Sequence, residues 1–132
     1  MALSLARFNR DEVTVASAGM PPVLIHRAAQ NKVDEIALGA TPLGTLGVDY
    51  AQTKVSVSKG DTVLLMSDGF PELQNADGQQ LGYTRATQEF AAAATAKNAD
   101  GVIAGLRDAA MRWHGDLPPN DDITFVVVRC RA

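Results

Sequence analysis

Lys59-Gly60-Asp61-Thr62-Val63-Leu64-Leu65-Met66-Ser67-Asp68-Gly69-Phe70-Pro71-Glu72 is the stretch whose reading decides the fold. Gly60-Asp61 has the chemistry of a tight turn. Residues 63–66 form a continuous apolar run, bounded by turn residues and too short for a helix of its own. A strand buried on both faces reads this way. The run ends in Ser67-Asp68-Gly69. A carboxylate at the end of a buried strand is costly unless a cation or hydrogen-bond donors meet it. Gly69 lets the backbone turn sharply or come close to a ligand. Pro71 suits the first turn of a short helix, with Glu72 favourably placed near its N-terminus.

A second acidic point stands near the other end of the chain. Asn120-Asp121-Asp122 precedes Ile123-Thr124-Phe125-Val126-Val127-Val128, another strand-like run. If the two strands are antiparallel neighbours, the end of the first lies beside the start of the second, so Asp68 and Asp121 converge at one edge of the sheet. Carboxylates held together repel and ask for a cation. Oxygen ligands without nearby His or Cys favour Mg2+ or Mn2+ over zinc. A structural reading stands beside this one: Asp68 begins a turn and caps the Pro71 helix, while Asp121 and Asp122 shape a loop.

Outward from these points the pattern alternates between strands and turns. Residues 3–8 place Leu3, Leu5 and Arg7 on one side and Ser4, Ala6 and Phe8 on the other. They predict a hairpin with residues 13–18. Val23–Arg27 continues the strand pattern, and residues 33–38 read as a short edge strand. The glycine-rich segment Gly39 to Gly47 lacks Gly-Lys-Ser/Thr and reads as a structural loop, not a phosphate loop. Residues 53–58 alternate and are expected to pair with residues 63–66 across Lys59-Gly60-Asp61, so that residues 55–58, 63–67 and 123–129 share one sheet.

The remainder is mostly helical. Ala76-Asp77-Gly78 signals a turn. Thr84 is expected to cap a helix to about Ala96, with Ala86, Phe90 and Ala94 on one face. Asn98 caps the next, whose Val102, Leu106, Ala109 and Trp113 recur at helical spacing. His114-Gly115 ends it. His26, alone in a strand, carries no chemical signal. Pro118-Pro119 stiffens the loop that delivers Asp121.

With 132 residues the chain is the size of one domain with a modest core. With a net charge of −3, nothing in the sequence suggests a nucleic-acid footprint, which would be basic and clustered. No apolar run is long enough to cross a membrane, and residues 1–10 lack the pattern of a signal peptide. The single cysteine, Cys130, cannot make an internal disulfide and reads as a small buried residue of the last strand. These features predict a soluble, cytoplasmic protein without membrane contact, although a piece of a membrane-tethered protein would read the same.

Four motifs now support a resemblance. Ala18-Gly19-Met20-Pro21-Pro22, Pro42-Leu43-Gly44, Gly60-Asp61 before Ser67-Asp68-Gly69-Phe70-Pro71-Glu72, and Asp121-Asp122-Ile123-Thr124 follow one another across nearly the whole chain. Together they resemble the bacterial metal-dependent serine phosphatases related to stage II sporulation protein E and the sigma-factor regulators, within the type 2C (PPM) superfamily. Met20 stands where that family usually has His, which is not one of its core metal ligands.

The resemblance implies an α+β fold of packed antiparallel sheets flanked by helices, with two Mn2+ or Mg2+ ions at one end of the sandwich. It implies that Asp68 and Asp121 are metal ligands, with Gly69, Glu72 and Asp122 around them, and no catalytic side chain beyond the ligands. An earlier Asp-Gly motif, whose Asp bridges both metals in that family, has no counterpart before Asp68. Residues 1–132 are therefore expected to form a single, partial phosphatase domain, without the N-terminal part of the sandwich.

Two functions of different kind follow. One is hydrolysis of a phosphoserine or phosphothreonine protein by metal-activated water, the substrate being of the anti-sigma-factor-antagonist type, with this chain alone inactive. The other is a catalytically inactive partner-binding module in a partner-switching pathway. Either leaves apolar sheet surface uncovered, which favours a homodimer.

Overall fold

The computed structural model describes residues 1–45 and 49–131. The elements run β1 (Leu3–Asn9), β2 (Glu12–Ala18), β3 (Val23–Arg27), β4 (Lys32–Ile36), β5 (Gln52–Ser56), β6 (Thr62–Met66), α1 (Tyr83–Ala93), α2 (Ala99–His114) and β7 (Phe125–Arg129). Two antiparallel sheets result, β1-β2-β5 and β4-β3-β6-β7. Among the described residues, no helix is long and apolar enough to cross a membrane.

The four-stranded sheet is the middle layer. Leu24, Leu64, Met66, Phe125 and Val127 pack beneath α1 and α2, against Phe90, Val102 and Leu106. Val23, Ile25, Val63 and Val128 pack on the other side against Val13, Val15 and Val57. This explains why residues 63–66 lack alternation: β6 has a neighbouring strand on each edge and a packed layer on each face. The expected hairpin forms in register, with Leu3 opposite Ala18 and Asn9 opposite Glu12. The fold is the expected α+β arrangement of packed antiparallel sheets with helices.

The helices follow their apolar spacing. Ala86, Phe90 and Ala93 are buried on α1, and Val102, Leu106, Ala109 and Ala110 on α2. Asn98 accepts a hydrogen bond from Gly101 N at 2.8 Å, and Gly115 (φ 64°) closes α2 after Arg112 and His114. Trp113 Nε1 donates to Leu73 O at 2.8 Å, which ties α2 to the segment after β6.

Four expectations are corrected. β5 does not pair with β6; it pairs with β2, with Val13 opposite Val55, and so belongs to the other sheet. Its outward residues Gln52, Lys54 and Ser56 are exposed, so β5 suits a sheet edge, whereas β6 needs apolar neighbours on both sides. α1 starts at Tyr83, ahead of Thr84, because Gly82 occupies the cap position and donates its N–H to Pro71 O at 2.7 Å. Residues 69–72 make turns, not a regular helix, closed by Glu72 N donating to Asp68 O. Cys130 lies just past β7 and is half-buried; burial, and then the Asp61 carboxylate, raise its thiol pKa. Within the glycine-rich stretch, residues 39–45 are irregular, as expected of a loop, while Leu46 and Gly47 lie outside the described residues.

One polar assembly joins the two sheets. The buried Asp61 carboxylate accepts from Ala28 N (3.0 Å), Ser58 N (3.0 Å) and Arg27 Nη1 (3.1 Å). Arg27 also donates to Ser56 O at the end of β5 and to Asp34 on β4. The hydrogen bond from Arg27 holds the Asp34 carboxyl below its ordinary pKa. A depressed carboxyl pKa adds stability above the unfolded value and loses it as pH falls. We expect Asp61→Ala to destabilise the fold by roughly 2–4 kcal/mol, since it removes the acceptor of two backbone donors and one of the two carboxylates that Arg27 meets. A urea midpoint unchanged from the parent chain would refute this role.

Candidate metal centre

The site is built where β6 ends and β7 begins. Met66 pairs with Phe125, and the contact continues past both strands. Ser67 N donates to Thr124 O at 3.0 Å, and Thr124 N donates to Ser67 Oγ at 2.9 Å. Ser67 Oγ in turn donates to Asp122 O at 3.3 Å. These bonds hold the backbone of the Asp68 segment against that of residues 122–124.

Gly69 completes the junction, for a reason of space. Its φ is not in the left-handed region, but an added Cβ would overlap the carbonyl oxygen of Asp122 and stand 3.0 Å from its carbonyl carbon. Both groups are backbone and cannot rotate away. We therefore expect Gly69→Ala to push residues 121–123 off the end of β6 and to lower the unfolding midpoint measurably. Retention of stability, with unchanged amide shifts at residues 121–124, would contradict that packing.

Asp68, Asp121 and Asp122 are exposed, as is Glu72. Among the described residues, the Asp68 carboxylate takes no protein donor, while Asp121 Oδ1 accepts Asp122 N at 2.7 Å. One Asp68 neighbour escapes sequence reading. Burial, and then the carboxylates of Glu72, Asp68 and Glu35, raise the pKa of the Tyr83 phenol. Tyr83 is brought there by the Gly82–Pro71 hydrogen bond, which sets the start of α1 beside the turn after β6. An aromatic residue at a helix start reads as packing, so no local signal marks it.

The donor chemistry suits a hard divalent cation: the carboxylates at this edge are exposed, and among the described residues no His or Cys joins them in a metal-binding group. The number of donors does not amount to a full site. Among the described residues, no three His, Cys, Asp or Glu side chains stand close enough to hold one ion together. The residues present fit part of a ligand set.

Comparison with known proteins follows the same lines. The family model described as stage II sporulation protein E matches residues 1–131. The phosphoserine phosphatase RsbU of Bacillus subtilis is 26% identical over 129 residues, covering 94% of this chain and 37% of that protein. Among solved structures, the RsbU and RsbW domains of a Mycobacterium tuberculosis protein superpose with a TM-score of 0.81 at 23% identity, over 99% of this chain and 36% of that one. The manganese-presoaked phosphatase domain of the Bacillus subtilis cell fate determinant SpoIIE gives 0.77 at 20% identity, over 100% of this chain and 57% of that one. At these identities the structural likenesses carry the fold. This chain spans less than two thirds of each of these relatives.

Proposed function

The chain belongs to the stage II sporulation protein E family, and we propose that residues 1–132 form one unit, the C-terminal part of a metal-dependent protein serine/threonine phosphatase domain. In this reading Asp68 and Asp121 hold Mn2+ or Mg2+. The observation that carries it is the junction of β6 and β7, where the Ser67–Thr124 bonds fix the two acidic segments side by side. Metal bound there would lower the pKa of a coordinated water and neutralise charge on phosphoryl oxygens.

The chain's own residues have simpler tasks. Asp68 and Asp121 bind and orient, and neither moves a proton. Gly69 keeps the junction narrow. Glu72 and Asp122 add negative charge at the rim. The substrate in this reading is a phosphoserine or phosphothreonine protein of the anti-sigma-factor-antagonist type, in a cytoplasmic signalling pathway.

A second reading is favoured by one observation, the shortage of ligands. In it the chain is a catalytically silent module that binds a signalling partner through the same surface. Metal titration followed by a phosphatase assay on a complete domain containing this chain separates the two. Metal-dependent turnover supports hydrolysis; partner binding with neither metal affinity nor turnover supports the module and ends the enzymatic proposal.

A further inference from the structure

At the end of the four-stranded sheet opposite Asp68 lies a cleft of about 510 Å³. β6 leaves this end at Thr62 and reaches the acidic junction only after Met66, and β7 returns from Phe125 to Arg129. The cleft is lined by Lys59 from the turn before β6, Lys97 from the loop between the helices, and Arg129 and Arg131 from the end of the chain. Its lining contains no Asp or Glu. Among the described residues none of the four cations forms an ion pair, whereas Arg27, Lys32, Lys54 and Arg112 each do. Four uncompensated cations around one cleft run against a chain whose net charge is −3.

The four differ in freedom. Arg129 is half-buried, and its guanidinium donates to Ala94 O and Ala96 O, which fixes it in the wall of the cleft beneath the start of α2. Lys59, Lys97 and Arg131 are exposed at the rim, on three separate segments. Ala99, the first residue of α2, also lines the cleft, and the exposed Asp100 that follows it offsets the positive end of that helix. Val127 and Val128 supply apolar wall between the charges.

We propose that this cleft docks an acidic, extended segment of a partner protein. Charge complementarity selects the occupant: a chain laid across the opening meets the rim cations in turn, with Arg129 as its fixed anchor. The rim cations belong to three separate segments of the chain, which suits an extended occupant. The site is distinct from the acidic junction and stands whether or not the phosphatase reading holds.

Fluorescence anisotropy of a labelled oligoglutamate peptide tests this on the full chain. Binding is expected at low salt and should weaken as ionic strength rises through about 0.1 M, where the Debye length falls to about 10 Å. Lys59→Glu with Lys97→Glu should weaken it by about tenfold, as two exposed attractions are lost and replaced by repulsion. Arg7→Glu with Lys54→Glu carries the same change in net charge on the outer face of the other sheet, and should bind the peptide much as the parent chain does. Equal losses in both double variants would mean that only net charge matters, which overturns the proposal. Displacement of the peptide by inorganic phosphate at matched ionic strength would assign the cleft to a compact anion and overturn it equally. All four positions are exposed, and a circular dichroism spectrum equal to that of the parent qualifies each variant for the comparison.

Discussion

Asp68→Asn or Asp121→Asn, placed in a complete phosphatase domain that contains this chain, is expected to lower metal-dependent turnover by more than about a hundredfold. Residues that only support metal ligands typically cost roughly 10–100-fold when changed, so loss of a ligand should exceed that range. The amide keeps the shape of the side chain and its bonding capacity but gives up the charge that holds a hard cation. Folding should survive, because both side chains are exposed and the junction is held by Ser67, Thr124 and backbone groups. Without metal the variants should be at least as stable as the parent if the two carboxylates repel one another, since one of the two charges is then gone. The measurement is turnover against Mn2+ concentration, read beside a thermal melt. Turnover equal to the parent's at limiting Mn2+ would remove Asp68 and Asp121 from the site. A melt that collapses would show that they hold the fold.

Much of this arrangement is legible in the sequence where a single segment carries its own reason. The unalternating run 63–66 predicts a strand packed on both faces, and β6 is that strand. Its adjacency to β7 follows from the two apolar runs and the acids at their ends. Asn98 and Gly115 mark α2 because capping is local chemistry.

What escapes is decided by distant partners. Residues 53–58 and 63–66 look like a hairpin because consecutive strands so often pair, yet the buried Asp61 carboxylate and Arg27 hold the turn between them while the chain changes sheets. Asp61 reads as an ordinary turn residue; its acceptors of Ala28 and Ser58 donors are invisible without the fold. Gly69 is legible as special, but its reason, the Asp122 carbonyl, comes from a segment more than fifty residues away. Tyr83 has no local sign at all, because only the Gly82–Pro71 bond carries it to the carboxylates.

The chain of residues 1–132 by itself is expected to hold Mn2+ weakly and to hydrolyse no generic phosphoester at a measurable rate. An ion bound by few protein oxygens keeps most of its water and gains little affinity, and among the described residues no three His, Cys, Asp or Glu side chains are grouped to hold one. The same chain should associate. Three strands face four, so the inward side of the β6–β7 edge lacks full cover: Leu65 is half-buried and Val126 is 51% exposed. Beside them an open cleft of about 290 Å³ runs past Leu3, Ser4 and Met20. The Ser4 and Ser17 hydroxyls, opposite one another in β1 and β2, are buried without a partner among the described residues. A strand added along the free edge of β1 would lie over Val126 and supply the missing cover, and a second copy of β1 is the nearest source in a solution of this chain alone. Light scattering should therefore report a dimer or larger species. The relatives compared above are longer than this chain, and a segment corresponding to their additional sequence would be the other candidate. Supplying the remainder of a family phosphatase domain as a separate polypeptide should bring metal affinity and turnover up together and the association down. A monomer that binds Mn2+ tightly and turns over substrate unaided would show that residues other than Asp68 and Asp121 complete the site within this chain.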